Sequence, residues 1–139
     1  MPIQENTAPA IGQQWPGQGG IYAGLSRGRD GTPDYHLIVG PELTAAAWGN
    51  AKQQAAALVI DDHADFTLPF RAEQSLLFAN VPELFKKDWY WSCEQLASGP
   101  DYAWMQNFVT GDQGDYRKSY ELRARAVRRL KISQNPAQA

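Results

Sequence analysis

The chain has 139 residues, of which 43% are hydrophobic and 20% charged, with a formal net charge of −2. This length fits one domain with its own core, and the composition excludes a wholly disordered or membrane-embedded protein. No run reaches the ~18 apolar residues that span a bilayer, the single cysteine excludes an internal disulfide, and the net charge disfavours a protein that coats nucleic acid.

The first 20 residues are rich in Gln, Pro and Gly and have no sustained hydrophobic period. They predict a flexible N-terminal arm over residues 1–19, in which Ile11 and Trp15 could dock on the domain. The domain is predicted over residues 20–132, followed by a disordered tail over residues 133–139. The start lacks the basic and apolar segments of a secretory signal, so we expect a cytoplasmic beginning.

Two apolar runs, residues 21–25 and 35–39, flank a turn-rich segment and predict a β-hairpin. A helix is predicted next, with Thr44 as its N-cap. Its apolar side has helical spacing and consists of Trp48, Ala51, Ala55 and Leu58.

A second helix is predicted to open at Pro69 and to end near Asn80, because Pro82 prevents its continuation. Its predicted buried side consists of Leu76, Leu77 and Phe78.

Three strand-like segments, residues 89–94, 102–109 and 121–130, predict an antiparallel meander in the last third of the chain. In the middle segment Trp104, Gln106 and Phe108 share one face, by the strand period of two. Trp91 and Trp104 are predicted core residues.

The segment between the two helices has side chains that could ligate a metal, namely Asp61, Asp62, His63 and Asp65. It lacks the glycine and the distant glutamate of an EF-hand calcium loop. We therefore interpret it as a solvated connection with Asp capping, and keep a metal-dependent enzyme centred on this loop as the alternative function.

Ser92 and Cys93 are the one pair that suggests nucleophilic catalysis. No nucleophile-elbow glycines surround them, and a lone cysteine beside aromatic residues is more often a small packed hydrophobe. We predict no catalytic residue, no metal and no cofactor.

Basic residues crowd the C-terminal end and are interpreted as a solvated strand face with some packed guanidinium groups: Arg117, Lys118, Arg123, Arg125, Arg128, Arg129 and Lys131. The predicted partner-binding surface is instead a mixed polar and aromatic set on the strands and turns, typical of adaptable interfaces. It consists of Glu94, Gln95, Gln106, Asn107, Gln113, Asp115, Tyr116 and Arg117.

The order of these motifs resembles the C-terminal domain family of collagen-like surface proteins, which is common in phage genomes. The family pattern has a Trp-containing helix, a Trp-Arg-Leu-Pro-Thr motif, a Tyr-Trp-Ser-Ser strand, an Ala-Trp strand and a Val-Arg-Cys-Val-Arg strand. The counterparts here are Trp48 and residues 66–71, 90–93, 103–111 and 124–128. Residues 16–24 also resemble a phage-borne branch of the family.

Several positions depart from the pattern: Phe-Thr stands at 66–67 for Trp-Arg, Phe70 for Thr, Cys93 for the second Ser, and Ala126 for the Cys of the closing strand. The chain also lacks the Glu-Pro-Asn and Trp-Asn-Asp signatures of calcium-dependent lectins and the paired cysteines of sulfatase-activating enzymes. The departures therefore support neither chemistry.

The resemblance implies an α+β, C-type-lectin-like fold, with two helices packed on small antiparallel β-sheets. It also implies a non-catalytic phage or prophage protein that binds a macromolecular partner. Such a protein would either block a host intracellular complex, such as a defence system, or act as a recognition module on the virion. A protein partner is expected, carbohydrate is an alternative, and neither nucleic acid nor a membrane is expected.

Overall fold

The computed structural model describes residues 7–132 and has the α+β class predicted from the sequence, with two helices and two small antiparallel sheets. In chain order the elements are β1 (Gln14–Trp15), β2 (Gly20–Ser26), β3 (Tyr35–Glu42), α1 (Trp48–Ala56), α2 (Arg71–Asn80), a short 3-10 helix (Pro82–Leu84), β4 (Trp89–Gln95), β5 (Tyr102–Asn107), β6 (Gln113–Arg117) and β7 (Arg125–Lys131). The predicted tail over 133–139 lies outside the described residues.

The larger sheet has the strand order β1-β2-β3-β7 and contains the predicted hairpin. Strands β2 and β3 pair antiparallel, with Leu25 opposite His36. The register of this pair shifts between Tyr22 and Gly24, which marks a β-bulge. Gly24 has φ of 115° there, a backbone conformation that residues other than glycine rarely adopt. The hairpin is confirmed, with this bulge added.

Residues 7–19 belong to the folded domain, which corrects the predicted boundary at residue 20. Strand β1 pairs with β2, and Trp15 is buried in a small cluster with Tyr22 and Ile38. A two-residue strand is too short to show a hydrophobic period, so the sequence gives no sign of it. The buried Trp15 ring attaches this segment to the domain. Residues 1–6 lie outside the described range.

The smaller sheet has the order β4-β5-β6 and forms the predicted meander only in part. Its third strand, β6, lies between the second and third predicted segments, where no strand is predicted. The predicted closing strand is β7, which pairs with β3 in the other sheet, with Val39 opposite Val127. An alternating pattern identifies a strand and its buried side but not the strand beside it, so this pairing could not be read locally.

Helix α1 begins at Trp48, and its N-cap residue is Ala47 and not the predicted Thr44. Thr44 contacts the helix differently: its backbone N–H donates to the Gln54 side chain at 3.0 Å and its carbonyl accepts from the same side chain at 3.0 Å. The predicted buried residues Trp48, Ala51 and Ala55 are confirmed, whereas Leu58 lies beyond the helix end. Within residues 7–132 neither helix has the length and apolar character to cross a membrane.

Helix α2 ends at Asn80 as predicted, but its fully buried residues are Glu73, Gln74 and Leu77. Leu76 and Phe78 are only partly buried. The helix contacts β2 of one sheet and both β4 and β5 of the other. Because the helix lies between two sheets, more than one of its sides is covered, and two polar side chains are buried with it. The Glu73 carboxylate has hydrogen-bond partners, whereas Gln74 donates from its amide to the Tyr90 carbonyl and its side-chain oxygen has no partner among the described residues.

The core has two main parts. One lies between α2 and the strands β4 and β7, and the other lies beneath α1. Trp91 is completely buried in the part beneath α1, where its indole N–H donates to the Ala46 carbonyl at 3.0 Å. Trp104, the other predicted core tryptophan, is only half-buried and lies under the guanidinium of Arg71. That half of the core prediction is wrong.

Candidate functional site

The candidate site lies on one face of the β4-β5-β6 sheet, next to the start of α2. Residues directly opposite in an antiparallel pair share a face. The β5–β6 pairing therefore groups Tyr102 with Arg117, Trp104 with Asp115, and Gln106 with Gln113. Helix α2 covers the Gln106 end of this face, and the Tyr102 end stays partly open to solvent.

Two residues of the predicted binding set fasten the sheet to α2. Gln106 is completely buried, and its amide donates to the Gln74 carbonyl at 2.7 Å. The Gln113 amide donates to the Gln106 side-chain oxygen at 2.8 Å and to the Arg71 carbonyl at 2.8 Å. The prediction that Gln106 contacts a partner is therefore wrong, because strand alternation does not show that a helix covers this face.

Two arginine guanidinium groups lie over aromatic rings at the open end of the face. The guanidinium carbon of Arg71 is 3.4 Å from the Trp104 ring centroid, and that of Arg117 is 5.3 Å from the Tyr102 centroid. Arg71 Nε also donates to the Gln113 side-chain oxygen at 3.0 Å. Stacking positions a planar guanidinium in advance and leaves its edge N–H groups free to bind an acceptor.

Glu94 joins this group to a third stacked arginine. One of its carboxylate oxygens accepts the Arg71 backbone N–H at 2.7 Å and lies 4.0 Å from Nη1 of Arg29. The Arg29 guanidinium lies 4.1 Å from the centroid of the Phe70 ring. We call the resulting set the arginine surface; it consists of Arg29, Arg71 and Arg117 with Phe70, Trp104, Tyr102 and Glu94.

Sequence reasoning found Glu94 and Arg117 of this surface but missed Arg29 and Arg71. Arg29 comes from the hairpin turn, and Arg71 is the first residue of α2. Both positions lie far in sequence from β5 and β6, so only the tertiary structure brings these two arginines to the arginine surface. No local sequence pattern predicts the contacts of Arg29 with Phe70 or of Arg71 with Trp104.

The remaining predicted residues line the outer strand and its neighbouring turns. Tyr116 and Tyr120 are 40% and 48% exposed, with ring centroids 4.7 Å apart, and Tyr116 points to the opposite face of β6 from Arg117. Asp115, which precedes Tyr116 in β6, is also exposed. Strand β6 is the outermost strand of its sheet, and an edge strand presents backbone groups that another chain can pair with.

Gln95 and Asn107 have partners within the chain. The Gln95 side-chain oxygen accepts from Lys118 Nζ at 2.5 Å, and the Asn107 side-chain oxygen accepts the Val109 backbone N–H at 2.7 Å. Asn107 therefore shapes the turn after β5, whereas Gln95 remains exposed beside the arginine surface.

Three side chains of the loop considered as a metal site each contact a different residue of the protein. The Asp61 carboxylate accepts the Gly19 N–H at 2.9 Å, His63 Nε2 lies 3.0 Å from the Gly17 carbonyl oxygen, and Asp65 accepts from Arg128 Nε at 2.8 Å. Asp61 and Asp62 both have positive φ, as expected for Asp in tight turns. Within residues 7–132 no three acidic, His or Cys side chains form a group that could hold a metal ion.

The chemistry of Ser92 and Cys93 does not favour a nucleophile. Burial raises the pKa of the Cys93 thiol to about 11, so almost all of it is protonated at neutral pH. Ser92 is completely buried, and its hydroxyl accepts the Glu94 backbone N–H at 3.0 Å.

Four arginines of the basic C-terminal segment make internal contacts, as the packed-guanidinium interpretation expects. Arg123 contacts Glu42 and Asp88, Arg128 contacts Asp65, and Arg129 contacts Glu73. Arg125 donates to the carbonyls of Gly40 and Leu84.

No family model and no curated protein matches this chain. The resemblance to the C-terminal domain family of collagen-like surface proteins, and the C-type-lectin-like topology it implies, therefore stay predictions. The geometry of the arginine surface carries the functional argument on its own.

Proposed function

We propose that this chain is a non-catalytic phage or prophage protein that binds a macromolecular partner through the arginine surface and the adjoining edge strand β6. A C-type-lectin-like topology is part of this proposal, since two helices on small antiparallel sheets are compatible with it. A protein is the proposed partner, with carbohydrate as the alternative.

One observation carries the proposal. The guanidinium groups of Arg29, Arg71 and Arg117 each lie over an aromatic ring, and none of these guanidinium groups donates a hydrogen bond to a carboxylate of residues 7–132. Arginine and aromatic side chains are the residues most enriched where binding energy concentrates at interfaces. A guanidinium already held by stacking loses less conformational entropy on binding than a free one.

Two settings for this binding are proposed. In the first the protein acts in the host cytoplasm and blocks a host complex, such as a defence system. In the second it belongs to the virion and recognises the host surface. The two settings predict different partners for the same surface.

Affinity purification of the tagged protein from host cells, followed by mass spectrometry, tests the proposal. The test variant is Arg117→Glu/Tyr116→Ala, which changes both faces of β6. Lys87→Glu is the matched control, because it makes the same charge change at an exposed residue in the loop before β4. Both variants should keep the circular dichroism spectrum of the parent.

A stoichiometric host complex that is lost in the double variant and kept in Lys87→Glu supports the intracellular setting. An empty purification with the protein retained on purified virions supports the virion setting. A partner captured equally by all three proteins would show that this surface is not the binding site.

A further inference from the structure

A groove with an open volume of about 1220 Å³ shares Arg29 and Phe70 with the arginine surface. Its walls come from the turn between β2 and β3, from the residue before α2 and from the end of β7. The residues that matter for its chemistry are Arg29, Tyr35, Phe70, Arg129, Lys131 and Ile132.

Phe70 lines the groove, and two guanidinium groups contact its ring. Arg29 lies 4.1 Å and Arg129 lies 4.4 Å from the Phe70 ring centroid. The two arginines differ in their partners. Arg129 donates from Nε and Nη2 to the buried Glu73 carboxylate, each at 2.7 Å, so its charge is compensated.

Arg29 keeps its hydrogen-bonding edge available. Its side chain is 48% exposed, its nearest acidic oxygen, on Glu94, is 4.0 Å away, and its guanidinium makes no hydrogen bond within residues 7–132. At that distance Glu94 offers a long-range charge contact and not a bidentate hydrogen bond. The Arg29 fork can therefore receive an external carboxylate.

The turn that carries Arg29 is held by its own hydrogen bonds. The Asp34 carboxylate accepts the Gly28 N–H at 2.9 Å, and the Thr32 hydroxyl accepts the Arg29 N–H at 2.9 Å. Asp34 is thus occupied by the backbone, and Asp30 lies exposed at the turn with φ of 53°. The two acidic residues of the groove shape its rim, while stacking holds the Arg29 cation inside it.

We propose that this groove binds an acidic peptide segment, with one carboxylate on the Arg29 fork and a neighbouring apolar side chain against Phe70, Tyr35 and Ile132. A volume of about 1220 Å³ exceeds that of a small ion and suits several residues of an extended peptide. This inference rests on the proposed function in taking the partner to be a protein, and it uses the part of the arginine surface formed by Arg29 and Phe70.

Fluorescence anisotropy with a labelled peptide tests the inference. The probe is acetyl-Glu-Leu-Glu-Phe-Glu-Leu, and its control replaces every Glu by Gln, which keeps the length and the apolar side chains. The proteins are the parent, Arg29→Gln and Arg27→Gln. The last is the matched control, because Arg27 is an exposed residue of the same turn and is not part of the groove lining.

The Glu peptide should bind the parent about tenfold or more tightly than the Gln peptide, because a carboxylate on the Arg29 guanidinium makes charge-assisted hydrogen bonds that a neutral amide does not. Arg29→Gln should remove that preference, and Arg27→Gln should keep it. Added salt should weaken binding of the Glu peptide more than that of the Gln peptide.

Equal binding of the two peptides, or a preference that survives Arg29→Gln in a folded variant, would overturn the inference. So would displacement of the Glu peptide by inorganic phosphate at equal concentration, which would indicate a general anion site. The Arg117→Glu/Tyr116→Ala variant separates the two proposals, because it should still bind the Glu peptide. If the Glu peptide binds while the parent, the double variant and Lys87→Glu all capture the same partner equally, the groove stands and the proposed use of β6 is wrong.

Discussion

Glu73 of α2 and Arg129 of β7 form a bidentate ion pair at the edge of the core, with both N–O distances at 2.7 Å. Only 1% of the Glu73 side chain is exposed, and its carboxylate also accepts from the Tyr35 hydroxyl at 2.5 Å and the Phe70 N–H at 2.8 Å. A buried carboxylate is tolerated only when it is compensated in this way. The pair fixes α2 against the larger sheet and holds Arg129 under Phe70.

Glu73→Gln should lower the free energy of unfolding by about 3 kcal/mol, because breaking a buried pair leaves the partner charge uncompensated. Urea denaturation followed by circular dichroism measures the change. Glu83→Gln, an exposed position in the short 3-10 helix, should stay within about 0.5 kcal/mol of the parent. Similar losses in the two variants would show that the Glu73 pair adds no special stability.

The two tryptophans that look equivalent in the sequence should differ in stability. Trp91→Ala removes a completely buried ring and should cost ~3–5 kcal/mol. Trp104→Ala removes a half-buried ring and its contact with Arg71, and should cost about 1 kcal/mol. Thermal unfolding of the two variants compares them directly, and a Trp104 variant as unstable as the Trp91 variant would contradict the structure.

Stability should fall below about pH 6.5 because of His36. The ring lies between Trp15 and Tyr22, with Nδ1 2.9 Å from the Tyr22 hydroxyl oxygen, and burial lowers its pKa. The unfolded chain therefore binds a proton at a higher pH than the folded one, so acidification favours unfolding. This contribution is complete above the unfolded pKa and is lost as pH falls through it towards the folded pKa.

Urea midpoints at about pH 7.5 and about pH 5.5 measure this effect, before most carboxylates titrate. The loss between the two should be smaller in His36→Gln than in the parent. An equal loss in both would assign the pH dependence to other groups.

Cys93 should alkylate slowly with iodoacetamide at neutral pH. Burial raises the thiol pKa to about 11, which cuts the thiolate fraction roughly 100-fold relative to an ordinary thiol. The rate should still be rising with pH above about pH 9. A rate that levels off near neutral pH would reveal an activated thiol and reopen nucleophilic chemistry at this position.

The elements that could be predicted are those whose signal lies within a few residues. The β2–β3 hairpin, the buried side of α1 and the end of α2 before Pro82 all follow from local periodicity or backbone chemistry. The N-cap of α1 and strand β6 were missed, because Thr44 is held by a side chain from within the helix and β6 has glycine and charge where a turn is expected.

The sequence by itself determined the α+β class, the two helices and most strands, and the absence of an internal disulfide, because composition and periodicity are properties of neighbouring residues. Only the tertiary structure decided that β7 joins β3, and that Gln106 is buried while Trp104 stays partly exposed. It also decided that Arg71 lies over Trp104 of β5 and Arg29 over Phe70. These outcomes depend on which faces α2 covers. Contacts between residues far apart in the chain set that coverage, and no local pattern encodes them.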